Sequence, residues 1–419
     1  MSNYFGKDIN YRSEHTDMAT IFGFIGLVIM FLPILYFQNK IPNISIGTLR
    51  KHAERLSIKN SLKAYIIAFF VTNALRGLMF AFAGFSQIIV SIVNIKWFFF
   101  LLLGYQVILK KQMYKEFGFF VLLEFTLGFF SYFSDFKTVF FFIGFLAISF
   151  LVKVNLKQII AATIVIVMLF YLGVKWTAIK GEYRGFLNKG SNTQTVGVGK
   201  EAAFNKLLEL SGSNSDFDMA AASFFDRIQY TYHLAKTMDR VPALIPHENG
   251  ANIGKILGFV LVPRFFNPNK PKLEASVKTS KYTGIGYLGA SSGVSFSLGY
   301  FADCYIDFGY YGMMIPLLIL GFIFGSTYFY FIKHSSNNFI FNYAVAGAIF
   351  MEFIAFEADG TYLMGRLFAT LVTFFMLKLF LFPGLYNYLS AAATLTENEE
   401  RAADKQEKME RLQAKSSSP

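Results

Sequence analysis

Residues 158–176 read QIIAATIVIVMLFYLGVKW and carry one charge, Lys175. A helix of this kind crosses the hydrocarbon of a bilayer, which takes about 20 apolar residues, with about 17 to 25 tolerated. Just beyond it the chain changes character: residues 177–309 form a long polar stretch, after which apolar segments resume. An apolar frame interrupted by one polar insertion is the organising pattern of the chain.

Composition sets the class. Apolar residues make up 54% of the 419, with 52 Phe and only 16% charged residues, and the mean hydropathy is +0.43. These values exclude an ordinary soluble domain and indicate an integral membrane protein. A single cysteine, Cys304, excludes an intramolecular disulfide, a thiolate metal cluster and a redox pair; it reads as a small residue at a helix start. The formal charge of +12 falls largely in short loops beside apolar segments, where it sets topology rather than binding nucleic acid.

Working outward from 158–176, apolar segments also run over 18–37, 62–84, 86–110, 117–133, 138–152, 311–332, 339–357 and 365–387. Lys96 and Trp97 interrupt 86–110, and 138–152 is short. The pattern predicts an all-α polytopic membrane protein of about 9–11 transmembrane helices. Lys40, Arg50, Lys51, Arg55 and Lys59 collect in the loop 38–61 and mark it as cytoplasmic. Counting from there also places Lys110, Lys111, Lys115, Lys153, Lys157 and Lys333 inside, and puts the N-terminus and the 177–309 loop outside. The expected organisation is N-terminal transmembrane helices over 1–176, a large external loop with short amphipathic helices over 177–309, and C-terminal transmembrane helices over 310–390. A charged cytoplasmic tail follows over 391–419. No cleavable signal peptide is apparent.

The loop is too long and too patterned for a spacer. Stretches 201–209 and 217–238 are amphipathic, and 253–262 is too short to span and reads as an interfacial or re-entrant segment that delivers Pro263-Arg264 to the membrane surface. Ionisable residues inside apolar segments are costly and point to function or interhelical pairing. Glu124 and Glu352 fit pairing, whereas Arg76, Glu357, Asp359 and Arg366 fit the lining of a polar cavity open to the outside. Arg184, Arg227, Arg264 and Lys270 share the loop, and guanidinium forks onto phosphate oxygens. No GxxxxGK[ST] loop, HExxH or GxSxG occurs, so nucleotide hydrolysis, a zinc site and a serine hydrolase are disfavoured. No metal or cofactor is indicated.

The combination of this frame with Lys180 … Tyr183-Arg184, Val262-Pro263-Arg264, Lys270-Pro271 and Gly299-Tyr300 … Asp303 … Asp307-Phe308-Gly309 … Gly312 resembles the Wzy-type oligosaccharide repeat-unit polymerases. The resemblance covers mainly residues 176–330. It implies a GT-C-like glycosyltransferase at the outer face of a bacterial inner membrane. Such an enzyme joins polyprenyl-diphosphate-linked repeat units into O-antigen, capsule or exopolysaccharide, without nucleotide sugar or cofactor, alongside a chain-length regulator and a flippase. The family pattern commonly has Glu at Asp303 and Asn at Asp307.

Under that resemblance Arg184 and Arg264, with Arg227, Arg76 and Lys270, are assigned to the diphosphate. Asp303 is the first choice for the base, with His247 or Glu357 behind it. Asp303 equally suits a helix N-terminal carboxylate, and Tyr300 and Tyr305 suit either sugar stacking or an interfacial aromatic belt. An O-antigen ligase and a flippase for the lipid-linked saccharide are the rival readings; no internal duplication of the transporter kind is visible.

Overall fold

A computed structural model describes residues 13–78, 86–129, 136–150, 155–191, 196–212, 217–228, 230–262, 267, 269–270, 275–286, 296–351, 353, 355 and 357–390, without the side chains of 77–78, 86–87, 129, 157 and 226–228. Regular structure there is helical throughout. The helices are α1 (Thr16–Gln38), α2 (Ile46–Glu54), α3 (Ile58–Leu78), α4 (Ser86–Val93), α5 (Ile95–Lys110), α6 (Tyr114–Phe129), α7 (Phe136–Ser149) and α8 (Leu156–Leu187). They continue as α9 (Lys200–Ser211), α10 (Phe217–Ile228), α11 (Thr231–Arg240), α12 (Ala251–Leu261), α13 (Ala275–Thr283), α14 (Tyr300–Gly312), α15 (Met314–His334), α16 (Phe339–Phe350) and α17 (Gly360–Phe380).

Among the described residues, five helices are long and apolar enough to cross a membrane: Thr16–Gln38, Ile88–Lys110, Gln158–Leu187, Met314–His334 and Gly360–Phe380. The chain is therefore all-helical, with the candidate spans of a multi-pass membrane protein. Nine to eleven crossings were expected, and the other four apolar segments fall on helices that do not reach that length and apolarity within the described residues. α7 and α16 have 14 and 12 residues, which is about 21 and 18 Å of helix at 1.5 Å per residue. α6 has 16 residues and ends where the described residues stop. α3 carries Lys59, Lys63 and Arg76.

The exposed faces of the long helices show what surrounds them. Ile164, Ile166 and Val167 of α8 are 62%, 65% and 60% exposed, and so apolar a bare stretch of helix suits a lipid surround. An Asn155–Gln158 capping box starts α8, satisfying backbone donors that the helix leaves unpaired. The helix then continues past the expected boundary at 176. Its last turns bury Trp176, Ile179, Tyr183 and Leu187 with Phe136 and with Ala203 and Leu210 of α9.

The described residues fall into two compact units. The first takes residues up to 35, 120–323 and 353–365, and the second takes 36–119, 324–352 and 366 onward. Within the first, α1 meets α15 at Gly321, which lies against the Met30 carbonyl where a Cβ has no room, and Gly26 of α1 sits under Leu317 and Phe301. Small residues at such crossings let helix backbones approach. Within the second, α5 is the central helix. Its Phe98 ring packs 5.0 Å from Phe341 and 5.4 Å from Phe382, and buried Gln106 donates to Ser61 Oγ at 2.6 Å.

Candidate functional site

Helix α14 organises the polar part of the first unit. Gly299, with φ of 83°, opens it, and Gly309, with φ of 67°, breaks it, a left-handed conformation that glycine adopts without strain. Asp303 and Asp307 sit one helical turn apart on the same face, and both are buried. Each takes the N-terminus of another helix. Asp307 accepts the backbone N–H groups of Asn252 at 3.0 Å and Ile253 at 2.7 Å, in the first turn of α12. Asp303 Oδ2 accepts the Gly360 N–H at 2.6 Å, where α17 starts. Carboxylates at these positions satisfy orphan donors and oppose the positive end of the helix dipole.

The other oxygen of Asp303 is also engaged. Oδ1 pairs with the Lys278 ammonium of α13 at 2.5 Å and accepts from Asn252 Nδ2 at 3.3 Å. Asp303, expected to act as the base, is only 2% exposed, and both of its oxygens are engaged by protein groups. Asp359, 1% exposed, caps α17 by accepting the Tyr362 N–H at 2.9 Å. Burial first, then the Asp303 charge, pushes the Asp359 carboxyl above its usual range. Burial acts to lower the Lys278 pKa, but Asp303 and Asp359 outweigh it and the ammonium is held more firmly than usual. Gly360 completes the junction, since a Cβ there would lie 2.8 Å from Ile256 Cδ1 and 3.1 Å from Asp303 Oδ2.

Beside this buried cluster, residues 247–250 are strapped to α14 through Glu248 N–H to the Ile306 carbonyl and Asn249 N–H to the Asp307 carbonyl. Glu248 accepts from the Tyr282 hydroxyl, from Lys255 at 3.0 Å and from Lys281 at 3.1 Å. The Tyr282 hydrogen bond above all, then Lys255 and Lys281, holds the Glu248 carboxyl down to about 2, against an ordinary 4.5. A depressed carboxylate contributes stability that is complete above its unfolded pKa and is lost as pH falls toward its folded one. Thermal unfolding followed from pH 5 to pH 2 should therefore show wild type losing stability more steeply than Glu248→Gln; parallel curves would show that the Tyr282 and lysine contacts do not form.

Two groups in this region have capacity to spare. His247 Nδ1 lies 3.2 Å from the Ile306 carbonyl oxygen; since a carbonyl only accepts, Nδ1 carries a proton, and in the neutral tautomer so fixed the lone pair falls on Nε2. Nε2 lies against Gly309, 3.1 Å from where a Cβ would stand, and the ring meets Tyr305 edge-on with centroids 5.6 Å apart. Arg240, the last residue of α11, lays its guanidinium on Gly284, where a Cβ would fall 2.5 Å from Nη1. Its buried Nε has no hydrogen-bond partner among the described residues. The neighbouring Asp239 is already occupied by Ser13, His15 and Lys236.

The remaining candidates scatter. Tyr300 and Tyr305 are 1% and 0% exposed; their hydroxyls reach Met30 Sδ at 3.6 Å and the Val241 carbonyl at 2.8 Å, so they are core residues rather than a sugar-stacking surface. Lys270 turns back onto the C-terminus of α12, donating to the Phe259 carbonyl and, at 2.8 Å, to that of Val262, with its ammonium 3.8 Å from the Phe259 ring centroid. Such a lysine offsets the negative end of a helix. Arg184 is half-buried in the last turn of α8, and Glu357 is exposed. Arg76 and Arg366 belong to the second unit. Arg264, Glu352 and the Arg227 side chain lie outside the described residues.

Residues 22–383 match the profile of a domain of unknown function, DUF8712. The chain belongs to the DUF8712 family. Comparison with curated proteins and with solved structures finds no match. The DUF8712 region includes the whole cluster, from Arg240 and His247 through Lys278 and Asp303 to Gly360. Sequence reading missed Lys278, Arg240 and Glu248. The signal within reach was the pair of acids four apart on apolar α14, two carboxylates that need buried donors.

Proposed function

We propose that this DUF8712 chain is a membrane glycosyltransferase that polymerises polyprenyl-diphosphate-linked oligosaccharide repeat units at the outer face of a bacterial inner membrane. Its frame is GT-C-like, with α3, α6, α7 and α16 as short or charge-bearing crossings beside the five long ones, and residues 177–309 form the external loop. The observation that carries the reading is the pairing, on one short connection pinned by Tyr305, of the Arg240 guanidinium, which has no described counter-ion, and the His247 imidazole, whose Nδ1 is tied to the Ile306 carbonyl. The motif behind the resemblance, Gly299 to Gly312, is the helix that holds that connection.

In this reading the acceptor sugar hydroxyl attacks the anomeric carbon of the growing chain and its proton passes to His247 Nε2. The carbon–oxygen bond to the diphosphate breaks, and the leaving diphosphate departs with the electron pair toward Arg240. Arg184, Arg227 and Arg264 supply further positive charge. Fixed cations aimed at developing charge lower the barrier because they need no reorganisation. The enclosed Asp303 and Lys278 position this connection and do not react.

The test is purified protein in nanodiscs, given lipid-linked saccharide extracted from cells that lack the chain, with products resolved as a ladder. A ladder is expected from wild type, and Arg240→Ala should lower its rate by roughly 100-fold or more, with partial recovery in Arg240→Lys. Lipid-linked saccharide crossing liposome membranes without a ladder would overturn the reading in favour of a flippase. Transfer of finished chains to a different lipid acceptor would favour a ligase.

A further inference from the structure

The second unit contains an apolar cavity of about 670 Å³ whose walls include Phe37, Phe329, Tyr330, Phe368, Leu371 and Phe375. That volume lies within the range of small-ligand sites, about 300–1,000 Å³. Its walls come from α1, α15 and α17, three of the five candidate spans. Lys333 and His334 lie in the last turn of α15, Lys378 in the last turn of α17, and Lys40 just past the end of α1.

These side chains bend over the cavity's own rings. Lys378 donates to the Tyr330 hydroxyl at 2.6 Å with its ammonium 4.2 Å from that ring's centroid, and His334 stacks on the same ring at 5.0 Å. Lys333 stands 5.5 Å from the Phe329 centroid; Lys40 lies on Tyr36 beside the cavity, 4.2 Å from that ring's centroid and 5.8 Å from that of Phe37. Among the described residues no carboxylate pairs with any of the four. An apolar hollow with an uncompensated cationic rim is complementary to an amphiphile with a negative head.

We propose that this cavity is a binding site for an anionic phospholipid of the surrounding bilayer, with an acyl chain among the aromatic walls and the phosphate on Lys333, Lys378 and Lys40. A bilayer lipid is the occupant because the walls are membrane-crossing helices, so it reaches the cavity by lateral diffusion. Basic pockets between transmembrane helices hold anionic headgroups by the same chemistry. The site is independent of the polymerase reading, since none of its residues belongs to the first unit.

The experiment uses full-length protein, stripped of lipid in a non-ionic detergent, and titrates phosphatidylglycerol or phosphatidylcholine of identical chains while following Tm and retained lipid by native mass spectrometry. Phosphatidylglycerol should bind at a saturable site and raise Tm, and phosphatidylcholine should not. Lys333→Gln with Lys378→Gln should weaken the effect roughly thirtyfold, for two headgroup lysines. Because Lys378 also supports Tyr330, the exposed pair Lys40→Gln and Lys333→Gln serves as a second variant, with the same direction expected. Leu371→Trp, which fills the cavity, should remove the saturable component. Equal responses to both lipids, or an anionic response undiminished in all three variants, would overturn the proposal. Stronger competition by a polyprenyl phosphate than by phosphatidylglycerol would overturn the choice of occupant.

Discussion

Asp303→Ala should destabilise the protein by about 3–5 kcal/mol, the usual penalty for removing one partner of a buried ion pair. Three losses combine. The Lys278 ammonium, 20% exposed, loses its 2.5 Å partner, the Gly360 N–H at the head of α17 loses its acceptor, and Asn252 loses one of its contacts. Asp303→Asn should cost less, because an amide oxygen still accepts from Gly360. Lys278→Met combined with Asp303→Asn should recover much of the loss, since no unpaired ammonium then remains and contacting residues are non-additive. Thermal unfolding in one detergent at one scan rate is the measurement. A Tm for Asp303→Ala equal to wild type would mean that α12, α13 and α17 are not tied through this carboxylate.

Under the polymerase reading proposed above, His247→Gln should lower the polymerisation rate by about 10²–10⁴-fold, the range that a positioned general base contributes, while leaving Tm nearly unchanged. The imidazole is half-buried, and among the described residues its polar tie is to the Ile306 carbonyl, so little of the fold depends on it. The loss should appear in kcat with KM unchanged, as for a group that acts only in the transition state. Gly309→Ala gives an independent check. Its Cβ would stand 3.1 Å from Nε2 at a φ of 67°, so it should displace the imidazole and reduce rate without touching the ring's own chemistry. A His247→Gln enzyme that keeps its full rate would remove the imidazole from the mechanism and leave the guanidinium of Arg240 as the surviving part of the site.

Much of the helical frame was legible before any coordinates. The apolar runs at 18–37, 311–332 and 365–387 coincide with α1, α15 and α17 to within several residues, and 158–176 lies inside α8, which runs on to Leu187. The amphipathic stretches at 201–209 and 217–238 coincide with α9 and with α10 and α11. Elsewhere the fold ended a helix earlier than the reading had it, or gave a side chain partners that the reading did not foresee. The run 339–357 looked continuous, yet α16 stops at Phe350. Lys270 looked like a phosphate ligand beside Pro271, but in the fold it faces the carbonyls that end α12. Tyr300 and Tyr305 looked available to sugars, and packing closed over both.

Hydropathy is a property each residue carries with it and adds along a helix, so a greasy chain of separate membrane-length segments follows from residue order alone. Partnership is not such a property. Nothing local in Val277-Lys278-Thr279 distinguishes a solvated lysine from one held between Asp303 and Asp359, and nothing in His-Glu-Asn-Gly foretells that Ile306 will set the tautomer of His247. Those outcomes depend on which faces of α11 to α14 and of α17 meet. Burial there makes every unpaired polar group costly, so tertiary packing selected the pairs that became the site.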